Sequence, residues 1–375
     1  MGLVIARPGM GWNTRTMLPL PRLTIDLGAI AANYRLLREM VAPAECAGVI
    51  KADAYGLGAG QIGRRLLEEG CRAFFFAHAG EALELAPAIQ AVGGRCLILN
   101  GLGNYRAAVF LEHNLIPVLN TLEDCRAWQQ TAGSRPAALH IDTGMNRLGL
   151  PPQDDASVQA LQAEGLNIIH LMSHFACADQ LERAENRDQI ERFERRSRAF
   201  QVTERSMANS AGCLLGARAH FDLARPGLAL YGVQPAEERR MSLTIPYRFE
   251  APVLQVRPVP AGAAAGYGGT HVFERDGWAA TIGAGYADGL PRAFSNRARI
   301  RLDGLACPII GRVSMDSTII DISSHPDPVR LRGTPAIIYD SELTVEAQAA
   351  DAGLSPYELL TRIGGRTERI YDRLA

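Results

Sequence analysis

Lys51 is the only lysine among the 39 basic residues of this 375-residue chain; the rest are arginine. Arginine keeps its proton at any working pH and serves poorly as a nucleophile or base, whereas a partly desolvated lysine can be both. A general preference for arginine accounts for the other basic residues but not for one lysine kept where the apolar run Val49-Ile50 meets the Gly-rich turn Ala52–Gly58. Three further groups extend the set: His174 offers a titrating imidazole, Ser210 a hydroxyl near a Gly-rich turn, and Arg225 a fixed cation. Ser210, Tyr55 and the backbone N–H groups of Gly227 and Leu228 could hold a phosphate, since successive amides form anion-binding concavities. Glycines 56, 58 and 60 alone mark no more than a tight loop.

These groups need elements that bring them together. From Leu23 to about Tyr231, eight short β-rich runs alternate with longer helix-period stretches: 23–27, 47–50, 73–77, 96–100, 116–120, 137–142, 167–172 and 206–210. Apolar runs buried on both faces and joined by helices predict a parallel sheet, and eight units predict an α/β fold of the (β/α)8 TIM-barrel type. An open doubly wound sheet would carry fewer units and a phosphate fingerprint after its first strand, which this chain lacks. In barrels, chemistry gathers at the C-terminal strand ends. Here those ends hold Lys51, His78, Asn100, Asn120, Asp142-Thr143, Ser173-His174 and Asn209-Ser210, with Arg225-Pro-Gly227 beyond them. Asn100 and Asn120 read as turn residues. After about Arg240 short strands separated by Gly, Pro and Asp turns predict a mostly β domain with a helical tail near 344–363. The expected division is a barrel over 21–240 and a β domain over 241–375, with segment 1–20 a candidate to join the latter.

Composition narrows the function. The net charge of −1 and the absence of a basic run argue against nucleic acid or an anionic membrane surface as a partner. No apolar stretch approaches the roughly 18 residues of a membrane span, and residues 1–21 lack the apolar segment of a signal peptide. Seven cysteines, odd in number and without CxxC pairing, read as reduced thiols of a cytoplasmic protein with no metal site.

The motifs resemble one family across nearly the whole chain. Lys51-Ala-Asp-Ala-Tyr-Gly-Leu-Gly58 is similar to the pyridoxal-phosphate lysine motif of alanine racemases. Ile141-Asp-Thr-Gly-Met-Asn-Arg-Leu-Gly149, Ser173-His-Phe-Ala176, Ala208-Asn209-Ser210 and Ala224-Arg-Pro-Gly-Leu-Ala-Leu-Tyr-Gly232 resemble its later barrel motifs. Gly266-Tyr-Gly268, Gly285-Tyr-Ala-Asp-Gly289 and Gly311-Arg-Val-Ser-Met-Asp316 resemble its β-domain motifs. Any one could arise by chance; eight in family order are specific.

The resemblance implies a fold-type III enzyme that interconverts L- and D-alanine by two bases on pyridoxal 5'-phosphate. Lys51 would hold the cofactor as a Schiff base and, once freed, serve the face of the D isomer. Tyr267, from the partner subunit of a homodimer with shared sites, would serve the other face with His174 as its hydrogen-bond partner. Tyr55, Asn209, Ser210, Gly227 and Leu228 would join the cofactor site, and Arg225 would face the pyridine nitrogen. Arg147 would meet the cofactor's phenolic oxygen and the substrate carboxylate, Met315 would bind that carboxylate through its amide, and Tyr286 would line the entrance. Asp288 and Asp316 read as structural turn acids.

Two positions depart from the family pattern. Many members carry a carbamylated lysine where this chain has His140, so a neutral His140 accepting a hydrogen bond from Arg147, directly or through a water or small anion, is one expectation; a barrel-filling ring is the other. The family's gate tyrosine falls at Gly365, which would loosen the entrance. Two alternatives to a strict alanine racemase follow: a broader racemase that also takes serine, and a non-catalytic cofactor-binding protein, which would lack a β domain.

Overall fold

The computed structural model describes residues 20–372 except Asn104. The candidate segment 1–20 and the signal-peptide reading therefore lie almost wholly outside the described residues. Nine hydrogen-bonded stretches form one sheet in the order Glu45–Cys46, Leu223–Ala224, Glu204–Ser206, Ile168–Met172, Ala137–His140, Ile116–Leu119, Arg95–Ile98, Ala73–Phe76 and Gly48–Val49. The two ends of this series are halves of a single strand. Ala47 between them donates to the Ala224 carbonyl at 2.9 Å, so residues 45–49 pair with Leu223–Ala224 on one side and Ala73–Phe76 on the other. The sheet closes as an eight-stranded parallel barrel. Its central strands, Ala-Phe-Phe-Phe, Ile-Pro-Val-Leu and Ala-Ala-Leu-His, are buried at every residue, as strands covered on both faces must be.

The count of eight holds, but its members shift. The run expected to open the barrel is the strand Arg22–Asp26, which pairs antiparallel with Tyr247–Val259 and parallel with Glu368–Asp372 in the second sheet. Its alternating burial is the mark of a sheet wet on one face, which the apolar content of the run concealed. The barrel gains Leu223–Ala224 instead, two residues too short to leave a periodic signal. Helix Leu27–Val41 then carries the chain into the barrel. The Asp26 carboxylate accepts from the Ala29 N–H at 3.0 Å, satisfying one of the donors a helix start leaves free. Its buried face of Ile30, Tyr34, Leu37 and Val41 follows the helical period, and the Tyr34 hydroxyl donates to the Cys46 carbonyl at 3.0 Å.

The second unit is an eight-stranded, mostly antiparallel sheet built on the long strand Tyr247–Val259. Its helical tail is two helices, Val345–Ala352 and Pro356–Thr361, separated at Gly353, whose φ is +66°. This tail and the last strand pack against the loop that follows Lys51. A Cβ on Gly56 would overlap the Leu360 carbonyl, and one on Gly58 the Tyr371 hydroxyl. The Arg369 guanidinium donates to the Gly56 carbonyl at 3.0 and 3.2 Å and to the Ile363 carbonyl at 3.1 Å. The sheet unit thus forms one wall of the lysine loop.

That contact makes a prediction. Gly58 and Gly93 both have positive φ (+100° and +73°), but Gly93 faces open space. Gly93→Ala should cost about 1 kcal/mol, from backbone strain alone. Gly58→Ala adds a steric overlap and should cost about 2–4 kcal/mol, read from urea unfolding midpoints; equal costs would contradict the packing.

Candidate active site

The C-terminal ends of the barrel strands enclose a cavity of about 530 Å³. Lys51, Tyr55, Arg147 and His174 line it, as do Asn209, Ser210, Arg225, Gly227 and Leu228. Every barrel residue singled out from the sequence for the site therefore meets in one place. The cavity is cationic, and among the described residues none of the three cations Lys51, Arg147 and Arg225 is held in an ion pair.

Lys51 leaves the end of strand Gly48–Val49. The next four residues, Ala52 to Tyr55, all lie in the left-handed region, with φ between +52° and +58°. L-residues pay roughly 1–2 kcal/mol each for that conformation, so the turn stands on its tethers. The Gly56 N–H donates to the Ala52 carbonyl at 2.9 Å, the Gly58 N–H to the Asp53 carbonyl at 2.8 Å, and the Ala59 N–H to the Asp53 carboxylate at 2.7 Å. Burial, and then Arg147, pull the Lys51 pKa below that of an ordinary lysine; Glu81 opposes them, and Arg225 adds to the lowering.

Arg225 is the most buried of the three cations, 4 % exposed. One terminal nitrogen donates to the Ser173 and Met207 carbonyls at 2.6 and 3.3 Å; the other is buried without a partner. Burial pulls its pKa down to about 9, which leaves it charged at neutral pH. The Ser210 hydroxyl accepts from the Gly227 and Ala229 N–H groups at 2.9 and 3.1 Å. This draws the Arg225-Pro-Gly turn over the cavity floor, close enough that a Cβ on Gly227 would overlap the Tyr55 hydroxyl.

Arg147 follows a turn fixed by Asp142, whose carboxylate accepts from the N–H groups of Gly144, Met145 and Asn146 at 2.9 to 3.2 Å. Among the described residues no direct hydrogen bond joins His140 to Arg147. His140 Nδ1 lies 2.9 Å from Asn120 Oδ1, while Asn120 Nδ2 donates to the Leu99 and Val118 carbonyls. The amide orientation is thereby set, and His140 must donate from Nδ1, leaving Nε2 as an acceptor. The ring lines the same cavity as Arg147. Asn120 is thus a buried orienting residue rather than a turn residue, and Asn100, likewise read as a turn residue, lines the cavity.

Tyr267, Tyr286 and Met315 lie in the sheet unit, 72 %, 44 % and 53 % exposed, and are absent from the cavity wall of their own chain. Asp288 and Asp316 brace these loops: Arg366 binds Asp288 through two bonds of 2.6 and 2.9 Å and Asp316 at 2.7 Å. The Tyr286 and Ala287 N–H groups meet the Ser314 and Met315 carbonyls, each at 3.0 Å. Gly365 is exposed, faces open space and is not on the cavity wall. The wall instead includes Tyr357, whose ring centre lies 5.9 Å from that of Tyr55. Nothing in the sequence pattern marks Tyr357, which sits on an ordinary amphipathic tail helix.

Three histidines share one electrostatic fate. Burial first, then the nearby arginine cations, push His140 down to about 4 and His174 well below its ordinary value; burial also lowers His170. An imidazole in the unfolded chain binds its proton near 6.5. Between pH 6.5 and 4 the unfolded chain therefore binds more protons than the folded one, and stability falls as pH drops through that window. For His140 alone the loss is on the order of 2–3 kcal/mol. The urea midpoint should fall steeply from pH 7 to 4.5, and His140→Gln should flatten the fall; an unchanged slope would contradict a neutral buried His140.

Comparison with known proteins places this geometry. Residues 25–235 match the family described as alanine racemase, N-terminal domain, and residues 247–371 that described as alanine racemase, C-terminal domain. The catabolic alanine racemases of Rhizobium johnstonii and Agrobacterium fabrum are each 42 % identical over 93 % of this chain, covering 94 % and 91 % of their own lengths. The Bartonella henselae alanine racemase, solved with covalently bound pyridoxal phosphate, superposes with a TM-score of 0.89 at 36 % identity over 94 % of this chain and 100 % of its own. The Streptomyces lavendulae alanine racemase gives 0.87 at 32 % identity over 96 % of this chain and 98 % of its own. With both family domains matched in order around a barrel-mouth lysine, the chain belongs to the alanine racemase family.

Proposed function

We propose that this cavity interconverts L- and D-alanine with pyridoxal 5'-phosphate, using Lys51 and Tyr267 as bases on opposite faces of the substrate Cα. The observation that carries the reading is the lone lysine in a cavity lined by two unpaired arginines, in a chain of the alanine racemase family. The residues present fit the cofactor. Arg225 turns a buried N–H without a partner toward an acceptor that the protein does not supply. The Ser210 hydroxyl, which accepts from Gly227 and Ala229, keeps its own proton to donate to an anion in the cavity it lines with Tyr55 and Leu228.

Bound there, the cofactor withdraws electrons from the substrate and makes its Cα–H acidic. Lys51 is the amine that would hold it. Its lowered pKa also favours the neutral Nζ that would accept a proton from Cα of D-alanine. Tyr55, Asn209, Ser210, Gly227 and Leu228 would hold the phosphate end. Arg225 would donate a hydrogen bond to the ring nitrogen without yielding a proton, which moderates the electron withdrawal and disfavours transamination. Arg147 would bind the substrate carboxylate, opposite charge to opposite charge.

Tyr267 is the second base, contributed by a second copy of the chain. Its exposure, with that of Met315 and Tyr286 on neighbouring loops, supports a homodimer in which these loops enter the partner's cavity. The Met315 amide then meets the carboxylate, and Tyr286 lines the entrance. His174, kept neutral by burial and by the surrounding cations, can accept a hydrogen bond from the phenol. The enzyme works in the cytoplasm on this reading. Its seven cysteines are unpaired, and no helix among the described residues is long and apolar enough to cross a membrane.

Incubation with L-alanine in deuterium oxide should yield D-alanine with deuterium at Cα; loaded enzyme that incorporates none would contradict the reading. Tyr267→Phe should keep the cofactor and slow turnover of L-alanine by about 10²–10⁴-fold, the usual worth of a general base. Mixing inactive Lys51→Ala chains with Tyr267→Phe chains should restore activity, because one site of a mixed dimer holds both bases. A monomer active under assay conditions would contradict the shared site.

A further inference from the structure

We propose that Glu81 is the positioning residue for Lys51: it fixes the start of the left-handed turn and sets a carboxylate beside the amine. The inference rests on Lys51 being the amine that holds the cofactor. The parallel ladder between Gly48–Val49 and Ala73–Phe76 ends with the Ile50 N–H on the Phe75 carbonyl at 3.0 Å. Beyond that point the strands part to open the cavity, and their backbone amides lose each other as partners. Glu81 takes over. One carboxylate oxygen accepts from the Ala52 N–H at 3.1 Å, and the other from the Ala77 N–H at 2.8 Å. The second oxygen also receives the His78 N–H at 3.5 Å, the bond of an ordinary capping box. A capping box does not require the first oxygen, which reaches back 29 residues to the peptide that follows Lys51.

That peptide opens the strained stretch from Ala52 to Tyr55. Within the chain the Ala54 N–H closes the turn on the Ile50 carbonyl at 2.9 Å, and the tethers from Gly56, Gly58 and Ala59 act on its far side; none of these reaches the neighbouring strand. On the near side Glu81 holds the side-chain departure point of Lys51 to the neighbouring strand. It is also the carboxylate acting on an amine otherwise faced by Arg147 from the loop after Asp142 and by Arg225 from the loop after strand Leu223–Ala224; His174 faces the amine too. Geometry and charge therefore come from one side chain. Glu81 keeps the amine in place and opposes the loss of its proton that the repulsion of the surrounding cations favours.

The single lysine makes the test direct. Reductive methylation with ¹³C-formaldehyde labels Lys51 and the chain's N-terminal amine, and NMR of the full-length, cofactor-free chain reads the Lys51 midpoint. In Glu81→Gln that midpoint should fall by about half to one pH unit, the shift expected when a nearby opposite charge is removed at a partly wet site. In the cofactor-loaded enzyme, hydrogen exchange of a peptide spanning 50–58 should rise about tenfold, while the strand Arg95–Ile98 keeps its protection. Glu81→Asp should recover part of the midpoint, and carries the same exchange comparison if Glu81→Gln fails to fold. An unchanged midpoint with unchanged exchange at 50–58, or protection lost equally across the barrel, would overturn the proposal. Cofactor found on a residue other than Lys51 would instead remove the reading beneath it.

Discussion

Positive charge held at the barrel mouth in excess of the negative charge around it is the constraint on which the rest of the site depends. Burying a cation costs free energy unless something pairs with it. Arg225 is nevertheless buried with one nitrogen unsatisfied, and among the described residues neither Arg147 nor Lys51 has an ion pair. The surroundings adjust to this field. His140 and His174 give up their protons, the Asp142 carboxylate is spent on backbone amides, and the Lys51 amine is biased toward its neutral form. A cavity poised in this way is a receptor for anionic groups: a phosphate, a carboxylate, a phenolate.

Keeping that charge in place requires a rigid frame, and both units supply it. The barrel gives strand ends that are buried and fully paired up to the cavity floor. The sheet unit gives the wall behind the lysine loop, where Arg369, Tyr371 and the tail helix press against glycines that could carry no side chain. The same unit carries Tyr267, exposed and absent from the wall of its own cavity, so one unit serves two ends of the proposed chemistry. Arg366, bound to Asp288 and Asp316, ties those exposed loops to the tail that backs the lysine loop.

Much of this was legible in the sequence, for physical reasons. Strands buried on both faces write themselves as apolar runs, and their C-terminal ends collect polar residues wherever a barrel does chemistry. Lys51, His174, Ser210 and Arg225 therefore group together by their places along the chain alone. What stayed hidden depends on contacts distant in the chain. Arg22–Asp26 looks like any short strand until its partners are known, and Leu223–Ala224 is too brief to carry a period. Asn120 resembles a turn residue, yet its amide sets the His140 tautomer across a strand pair. Tyr357 reaches the cavity only because the tail helix folds back onto the lysine loop.

The central claim is that the one lysine, set in this cationic cavity, carries the cofactor. Borohydride reduction of the holoenzyme followed by peptide mapping tests it most directly. The account predicts that the modification lies on the peptide containing Lys51 and is absent from the chain's N-terminal amine. Cofactor retained by the protein while Lys51 remains unmodified would contradict it.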